Sequence, residues 1–129
     1  MDNLFIAATP TSPEVDFRFS QHVLSLKGES YPENAAAFYG EIIANVRTYL
    51  AGCQQANIEV NVALAYFNSS STKVLFNLFD AFNQAALMGN HVTLNWYHDE
   101  DDDTILEFGQ ELQDDFGALD FHDHALSGV

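Results

Sequence analysis

Basic residues are scarce in this sequence. Only four, Arg18, Lys27, Arg47 and Lys73, stand against 19 aspartates and glutamates, which gives a formal net charge of −15. Nucleic acids are held mainly by clustered lysine and arginine side chains, and anionic membrane surfaces by polybasic segments. Because the four cations are scattered among carboxylates, we expect neither nucleic acid nor an anionic membrane among the partners. The acidic surplus favours solubility and can also steer basic partners.

Cysteine, proline, glycine and long apolar runs are also rare. Cys53 is the only cysteine, so no disulfide can form within the chain, which is typical of the cytoplasm. The first residues show neither the basic region nor the apolar core of a signal peptide, and no run approaches the roughly 20 apolar residues of a membrane span. We therefore expect a cytoplasmic protein without membrane insertion. Three prolines, seven glycines and 47% hydrophobic residues in a chain of 129 predict one folded globule.

Hydrophobic periodicity predicts an α/β fold. Residues 1–13 show no periodicity and are predicted to be a loose lead-in to a single domain over residues 14–129. Apolar residues then alternate with polar ones in segments that predict strands, and recur every three or four residues in segments that predict helices. The predicted strands cover 15–19, 24–26, 58–66 and 92–97, the helices cover 32–52, 74–86 and 105–116, and a further short strand around 119–121 is optional.

The strand predicted over 58–66 has the most apolar pattern. Its alternation places Tyr66 in line with the buried positions and Phe67 on the second face. Small or apolar residues on that second face predict a central strand that is covered on both sides.

A polar run, Asn68-Ser69-Ser70-Ser71-Thr72, separates this strand from the second helix. Asn and Ser are preferred helix N-caps, and one cap needs only one such residue. A phosphate in the run would lie at the positive end of the helix dipole, with Lys73 one turn along. The run therefore has two interpretations, a helix cap and a phosphorylation switch, and composition alone favours the cap.

Templates for metal sites and catalysis are not met. The acidic run 99–103 lacks the glycine and the bidentate glutamate of a calcium loop, so we predict a solvated turn before the third helix. His122 and His124 have ligand-like spacing but no third ligand nearby in the sequence, so we predict no metal site. No catalytic motif and no glycine-rich phosphate loop is present, which predicts neither enzyme activity nor a cofactor.

The second helix carries one anomaly. Phe76 and Leu87 lie on the side away from its main apolar stripe. An outward apolar strip is typical of a partner-binding surface, but contact with another helix or with a dimer mate is an equally good interpretation.

Three ordered motifs closely resemble the SiaC-type biofilm-regulation phosphoproteins. They are residues 28–34 (GESYPEN), 66–73 (YFNSSSTK) and 92–99 (VTLNWYHD), and the likeness runs from about Thr9 to the end of the chain. The resemblance implies a STAS-like fold, here a central mixed β-sheet of four to five strands packed by three α-helices. It also implies a partner switch that regulates cyclic di-GMP signalling and biofilm formation. In such a switch the unphosphorylated form binds and activates a diguanylate cyclase, a Ser/Thr protein kinase phosphorylates it, and a PP2C-type phosphatase restores it.

The resemblance also implies site residues. In that family the phosphoacceptor directly follows the Asn that ends the central strand, which is Ser69 here, with Ser70 and Ser71 as less favoured acceptors. The implied partner-binding residues are Tyr31, Glu33, Asn34, Asn68, Ser69, Ser70, Lys73 and Phe76. The alternatives are a constitutive STAS-like adaptor or small-ligand-binding module, in which the hydroxyl run is only a cap, and a regulator of the anti-sigma-factor-antagonist type.

Overall fold

Ten segments of regular structure follow one another along residues 2–127, the part of the chain that the computed structural model describes. The strands are β1 (Leu4–Ile6), β2 (Glu14–Arg18), β3 (Val23–Ser30), β4 (Asn57–Phe67), β5 (His91–Asp99) and β6 (Asp120–Leu126). The helices are α1 (Ala35–Ala51), α2 (Ser69–Leu87) and α3 (Asp103–Asp115), and a 3-10 turn spans Phe19–Gln21. This order confirms the α/β alternation predicted from periodicity. No helix within residues 2–127 is long and apolar enough to cross a membrane.

The strands form one mixed sheet of six strands in the order β1-β2-β3-β4-β5-β6. β1 to β3 pair antiparallel, and β3 to β6 pair parallel. The expected four to five strands are therefore too few. β6 confirms the optional last strand, whereas β1 lies inside the segment predicted to be a loose lead-in. β1 was missed because three residues are too few to show a period, although Leu4–Ile6 pair with Val15–Phe17 of β2.

The helices cover only one face of the sheet. Adjacent parallel strands joined by right-handed crossovers place their connecting helices on the same side. The covered face of β4 carries the buried side chains of Ile58, Val60, Val62 and Leu64. The other face carries hydrogen-bonded polar groups instead: Asn95 Nδ2 donates to Asn61 Oδ1 at 2.9 Å, and His124 Nε2 lies 3.0 Å from Asn95 Oδ1. The prediction that β4 is covered on both sides is wrong, because its small second-face residues line an open surface.

A β-bulge near the end of β4 reverses the orientation of its last residues. The pairing between β3 and β4 shifts register between Gly28 and Glu29, which inserts one extra residue in β4. Phe67 therefore packs on Phe108 of α3, with ring centroids 4.6 Å apart, while Tyr66 is exposed. The sequence alternation predicted the opposite orientation for both side chains.

Contact with another helix is the correct interpretation for Phe76. Its ring lies against α3, with centroids 5.2 Å from Phe108 and 5.9 Å from Phe116. Only Leu87 of the predicted outward strip is exposed. The part of Phe76 that faces α3 is therefore not free to touch a partner.

Candidate functional site

Most of the predicted partner-binding residues meet at the carboxyl ends of β3 and β4. Tyr31, Glu33 and Asn34 follow β3, Asn68, Ser69 and Ser70 follow β4, and Lys73 lies in the first turns of α2. β3 and β4 are parallel neighbours, so the segments that follow them leave the sheet at the same edge. The structure thus brings seven of the eight residues to one end of the molecule, and Phe76 is the exception.

An open groove of about 440 Å³ lies between the starts of α1 and α2. Its lining residues are Glu33, Asn34, Ala35, Ala36, Ser69, Ser70, Lys73 and Val74. The first N–H groups of a helix have no partner within the helix and carry partial positive charge. Two such helix ends and the exposed Lys73 ammonium face this groove, with Glu33 as the carboxylate beside them. The groove beside the hydroxyl run therefore holds one ammonium group, one carboxylate and the starts of two helices.

Asn68 caps α2, which leaves Ser69 without that role. The Asn68 Oδ1 accepts a hydrogen bond from the Ser71 N–H at 2.9 Å, and the backbone of Asn68 is extended, as an N-cap requires. Ser69 and Ser70 are exposed residues in the first turn of the helix. The cap and the candidate switch therefore belong to different residues, and the sequence alone could not separate them.

Ser71 has a buried structural role instead. Its side chain is fully buried, and its Oγ donates to the Ser30 carbonyl oxygen at 3.0 Å and accepts from the Ser30 Oγ at 2.9 Å. The Ser30 Oγ also lies 2.6 Å from the hydroxyl oxygen of Tyr39. A kinase can reach Ser69 and Ser70 in the folded chain, but not Ser71. Sequence reasoning missed this network of Ser30, Tyr39 and Ser71, because Tyr39 falls in the apolar stripe of α1 and looks like an ordinary core residue.

Replacing Ser71 with alanine should lower the free energy of unfolding by about 1–3 kcal/mol, because it removes two buried hydrogen bonds: the Ser30 hydroxyl loses its acceptor, and the Ser30 carbonyl keeps only the Asn68 N–H. The matched control is Ser70→Ala, which removes an exposed hydroxyl and should change stability by less than about 0.5 kcal/mol. Urea titrations followed by circular dichroism measure both values. Equal stabilities of the two variants would contradict a structural role for Ser71.

Tyr39 makes stability sensitive to alkaline pH. Burial raises the pKa of its hydroxyl from 10.0 to about 12. In the unfolded chain Tyr39 ionises near pH 10, whereas in the native chain it stays neutral. The stability that the neutral Tyr39 hydroxyl contributes is therefore fully present below pH 10 and is lost as the pH rises toward 12. Between these limits, the wild-type free energy of unfolding should fall by on the order of 2 kcal/mol more than that of Tyr39→Phe. Burial also raises the pKa of Tyr49, but that group is common to both proteins. Urea titrations across this range check the difference, and parallel pH curves would rule it out.

Two exposed tyrosines lie beside the segments that form the groove. The rings of Tyr31 and Tyr66 are 37% and 48% exposed, with centroids 5.6 Å apart in an edge-to-face arrangement. Exposed tyrosines are common energetic centres of protein interfaces. Tyr31 was expected here, whereas Tyr66 was missed because the bulge that exposes it leaves no mark in the apolar alternation.

Within residues 2–127, no group of three or more His, Cys, Asp or Glu side chains is placed to hold a metal ion. His122 lies in β6, where its Nε2 is 3.0 Å from Asp120 Oδ1, and His91 Nε2 is 3.0 Å from the other Asp120 oxygen. These two hydrogen bonds, to His91 and His122, hold the pKa of Asp120 below its ordinary value. Both histidines are thus engaged with one carboxylate. The absence of a metal remains a prediction.

The acidic run shapes the start of α3. Asp102 is the N-cap residue, and its Oδ1 accepts from the Ile105 N–H at 3.1 Å. The Asp99 Oδ1 accepts from the Asp101 N–H at 2.9 Å. The predicted turn before the third helix is therefore present, with two of its carboxylates bonded to its own backbone.

Known proteins match nearly the whole chain. The profile described as SiaC family regulatory phosphoprotein matches residues 6–126. An uncharacterised protein of Pseudomonas aeruginosa strain UCBPP-PA14 is 31% identical over 126 residues, which are 95% of this chain and 99% of that protein.

Solved structures share the fold. The crystal structure of apo-SiaC from Pseudomonas aeruginosa is similar with a TM-score of 0.88 at 30% identity, over 97% of this chain and 100% of that one. A chain in the crystal structure of the diguanylate cyclase SiaD in complex with its activator SiaC, from the same organism, is similar with a TM-score of 0.87 at 30% identity. That match covers 95% of this chain and 99% of the other.

Proposed function

Because this chain belongs to the SiaC family of regulatory phosphoproteins, we propose that it is a phosphorylation-controlled partner switch whose unphosphorylated form binds and activates a diguanylate cyclase. In this proposal a Ser/Thr protein kinase phosphorylates Ser69, and a PP2C-type phosphatase removes the phosphate. The chain acts in the cytoplasm and has no enzyme activity or cofactor of its own. The complex of the relative SiaC with the cyclase SiaD supports the cyclase as partner, and the family description supports phosphorylation.

One observation carries the proposal: the hydroxyl of Ser69 is exposed on a groove and has no capping role. Asn68 caps the helix and Ser71 fills the buried network, so neither task needs Ser69. A serine that is accessible at the first position of a helix can be modified without breaking the fold. Ser70 shares this accessibility, and the family resemblance is what favours Ser69 between the two.

The electrostatics of the groove explain how a phosphate would act. A phosphoserine adds about −1.5 to −2 charges at neutral pH and three strong acceptor oxygens. At the start of α2 the helix dipole and Lys73 accommodate this charge within the chain. A partner that packs on a neutral hydroxyl would instead face a hydrated dianion. The folded chain therefore tolerates the phosphate, and the complex does not.

We also propose that the fold is STAS-like. Two features support this assignment. The sheet is mixed, with parallel strands from β3 to β6, and a run of hydroxyl residues begins the helix that follows the central strand β4. Superposition on known STAS domains checks it, and TM-scores below about 0.5 would remove it.

The proposed function is tested with the purified chain and each diguanylate cyclase of its source organism. Unphosphorylated protein should raise the cyclic di-GMP synthesis of one cyclase and saturate the effect near a stoichiometric ratio. Mass spectrometry of the protein from its own cells should find a phosphorylated fraction at Ser69. Failure to bind or activate any of these cyclases would refute the proposal, and the absence of phosphate across growth conditions would favour a constitutive adaptor.

A further inference from the structure

Histidine is the only side chain that can carry positive charge in the part of the molecule that holds β5, α3 and β6. All four lysines and arginines lie before Val74, so the residues from there to Ser127 include none. Four of the five histidines lie on two adjacent strands: His91 and His98 on β5, His122 and His124 on β6. Protons therefore change the charge of this part of the chain mainly where β5 and β6 meet.

His98 differs from the other three histidines because it is buried. Its side chain is 3% exposed, and both of its ring nitrogens face oxygen atoms. Nδ1 lies 2.9 Å from the Asp99 carbonyl oxygen, and Nε2 lies 2.6 Å from the Oδ1 of Asp123 on β6. The second approach is bent away from the N–H direction, so it is a close ion pair rather than a straight hydrogen bond. The pair joins the buried face of β5 to the edge strand of the sheet.

These two contacts require a proton that a neutral histidine does not have. A carbonyl oxygen only accepts, so Nδ1 carries a hydrogen and donates it to Asp99. In a neutral ring Nε2 would then present its lone pair to a carboxylate oxygen that also only accepts. Nitrogen and oxygen come within 2.6 Å when they share a proton between opposite charges. Because a carboxylic acid is a stronger acid than an imidazolium, this proton resides on the His98 ring.

The other titratable groups around His98 cannot take over this role. Its neighbours on β5 are Tyr97 and Asp99, and the start of α3 adds the aspartates at 101–103 to the cavity that His98 lines. β4 contributes only apolar side chains, and within residues 2–127 no lysine or arginine lines this cavity. Burial by itself disfavours a charged ring, so the paired Asp123 carboxylate is what makes the imidazolium possible.

We propose that the His98–Asp123 pair binds a proton that holds the carboxyl-terminal half of β6 on β5. Without the proton, a lone pair and a carboxylate repel each other, and residues 123–126 leave β5. The docked strand binds a proton that the released strand need not bind. The docked fraction is therefore largest at acidic to neutral pH and falls as the pH rises through the range in which histidines titrate.

The position of β6 allows this opening without unfolding of the domain. β6 is an edge strand that pairs only with β5, and such elements can open locally while the core stays folded. The Leu126 carbonyl accepts from the Glu100 N–H at 2.9 Å, in the turn that precedes α3. Release of β6 therefore also removes a hydrogen bond from this turn.

Asp123→Asn tests the proposal because it removes the need for the proton. The amide of the new side chain can donate to Nε2 of a neutral ring, so β6 stays docked at alkaline pH. In wild type, amide protection of residues 123–126 should fall at least about tenfold from about pH 6 to about pH 9, after correction for the intrinsic exchange rate. In Asp123→Asn it should change by less than about twofold. Hydrogen exchange followed by NMR measures both, with the β4 amides as the reference for global unfolding.

The matched control is Asp120→Asn, which removes the exposed carboxylate that binds His91 and His122 on the same pair of strands. Residues 123–126 should keep the wild-type pH dependence in this variant. Loss of the dependence in Asp120→Asn but not in Asp123→Asn would assign the proton to the Asp120 group and overturn the proposal.

Nitrogen NMR of the His98 ring detects the proton directly. At about pH 7.5, where an ordinary histidine is largely neutral, wild type should show two protonated ring nitrogens. Asp123→Asn should show the neutral tautomer with its hydrogen on Nδ1. A neutral His98 ring in wild type with β6 still protected would overturn the proposal, as would a pH dependence that Asp123→Asn retains. Neither measurement involves the cyclase, so its outcome is independent of the proposed function.

Discussion

Ser69→Asp should abolish stable binding to the diguanylate cyclase, with an affinity at least about a hundredfold below wild type. The carboxylate places a negative charge on the first residue of α2, in the groove that the partner would cover. Burying it without a compensating partner charge costs desolvation energy, and every 1.4 kcal/mol lost is about a tenfold loss of affinity. Calorimetric titration of the cyclase with wild type and Ser69→Asp measures the difference.

The loss of binding should occur without loss of the fold. Asn68 still caps the helix in Ser69→Asp, and an acidic residue in the first turn is favoured by the helix dipole by about 0.3–1 kcal/mol. The variant should therefore melt within a few degrees of wild type or slightly above it. A collapse of the melting temperature would mean that Ser69 has a structural role that the hydrogen bonds do not show.

Two controls locate the switch residue. Ser69→Ala should bind like the unphosphorylated wild type and should stay bound when kinase and ATP are added. Ser70→Asp carries the same charge one residue away, so it separates an effect of the position from an effect of charge on the surface. Wild-type affinity in Ser69→Asp together with lost binding in Ser70→Asp would move the switch to Ser70.

The long elements could be predicted from the sequence because their periods persist over several turns or residues. α2 shows this best: its apolar residues recur from Val74 to Ala86, and Gly89 follows its end. β4 and β5 were recognisable for the same reason. The start of α1 was less clear, because Pro32 is compatible with a helix start, but the chain instead begins the helix at Ala35 after the capping Asn34.

The remaining features depend on tertiary structure. Small residues such as Ala63 on the second face of β4 are compatible both with a face covered by helices and with an exposed face. Which of the two occurs depends on the side of the sheet on which the three crossover helices pack. The bulge in β4 depends on pairing with β3, so the alternation within β4 gave no sign that Tyr66 would be exposed.

The separate roles of the residues in the hydroxyl run also could not be predicted from the sequence. Asn68, Ser69, Ser70 and Ser71 are all good N-cap residues, so composition could not assign the cap to one of them. The assignment depends on which side chain reaches an unpaired N–H and which hydroxyl meets Ser30 across the sheet edge. The family resemblance pointed to Ser69, and the structure adds why Ser71 is unsuitable.

The largest loss of stability from a single added methyl group is expected for Gly109→Ala. Gly109 is buried in α3, and a Cβ there would lie 2.5 Å from Trp96 Cδ1 and 2.6 Å from its Nε1, closer than real Cβ atoms come. Trp96 is fully buried and its Nε1 donates to the Ile105 carbonyl at 2.9 Å, so the ring cannot move away without losing contacts and a hydrogen bond.

Helix propensity and packing predict opposite signs for this substitution. Propensity alone would stabilise Gly109→Ala by about 1 kcal/mol, whereas overpacking costs about 1–3 kcal/mol and a broken buried hydrogen bond about 1–3 kcal/mol more. We expect packing to win, with a net loss of about 2–3 kcal/mol and a melting temperature lower by roughly 10 °C. Gly40→Ala makes the same change in open space and should raise the melting temperature by a few degrees. Thermal melts followed by tryptophan fluorescence compare the two variants. If Gly109→Ala melts at or above the wild-type temperature with an unshifted emission maximum, the Trp96 ring accommodates the added methyl group and the expected clash does not occur.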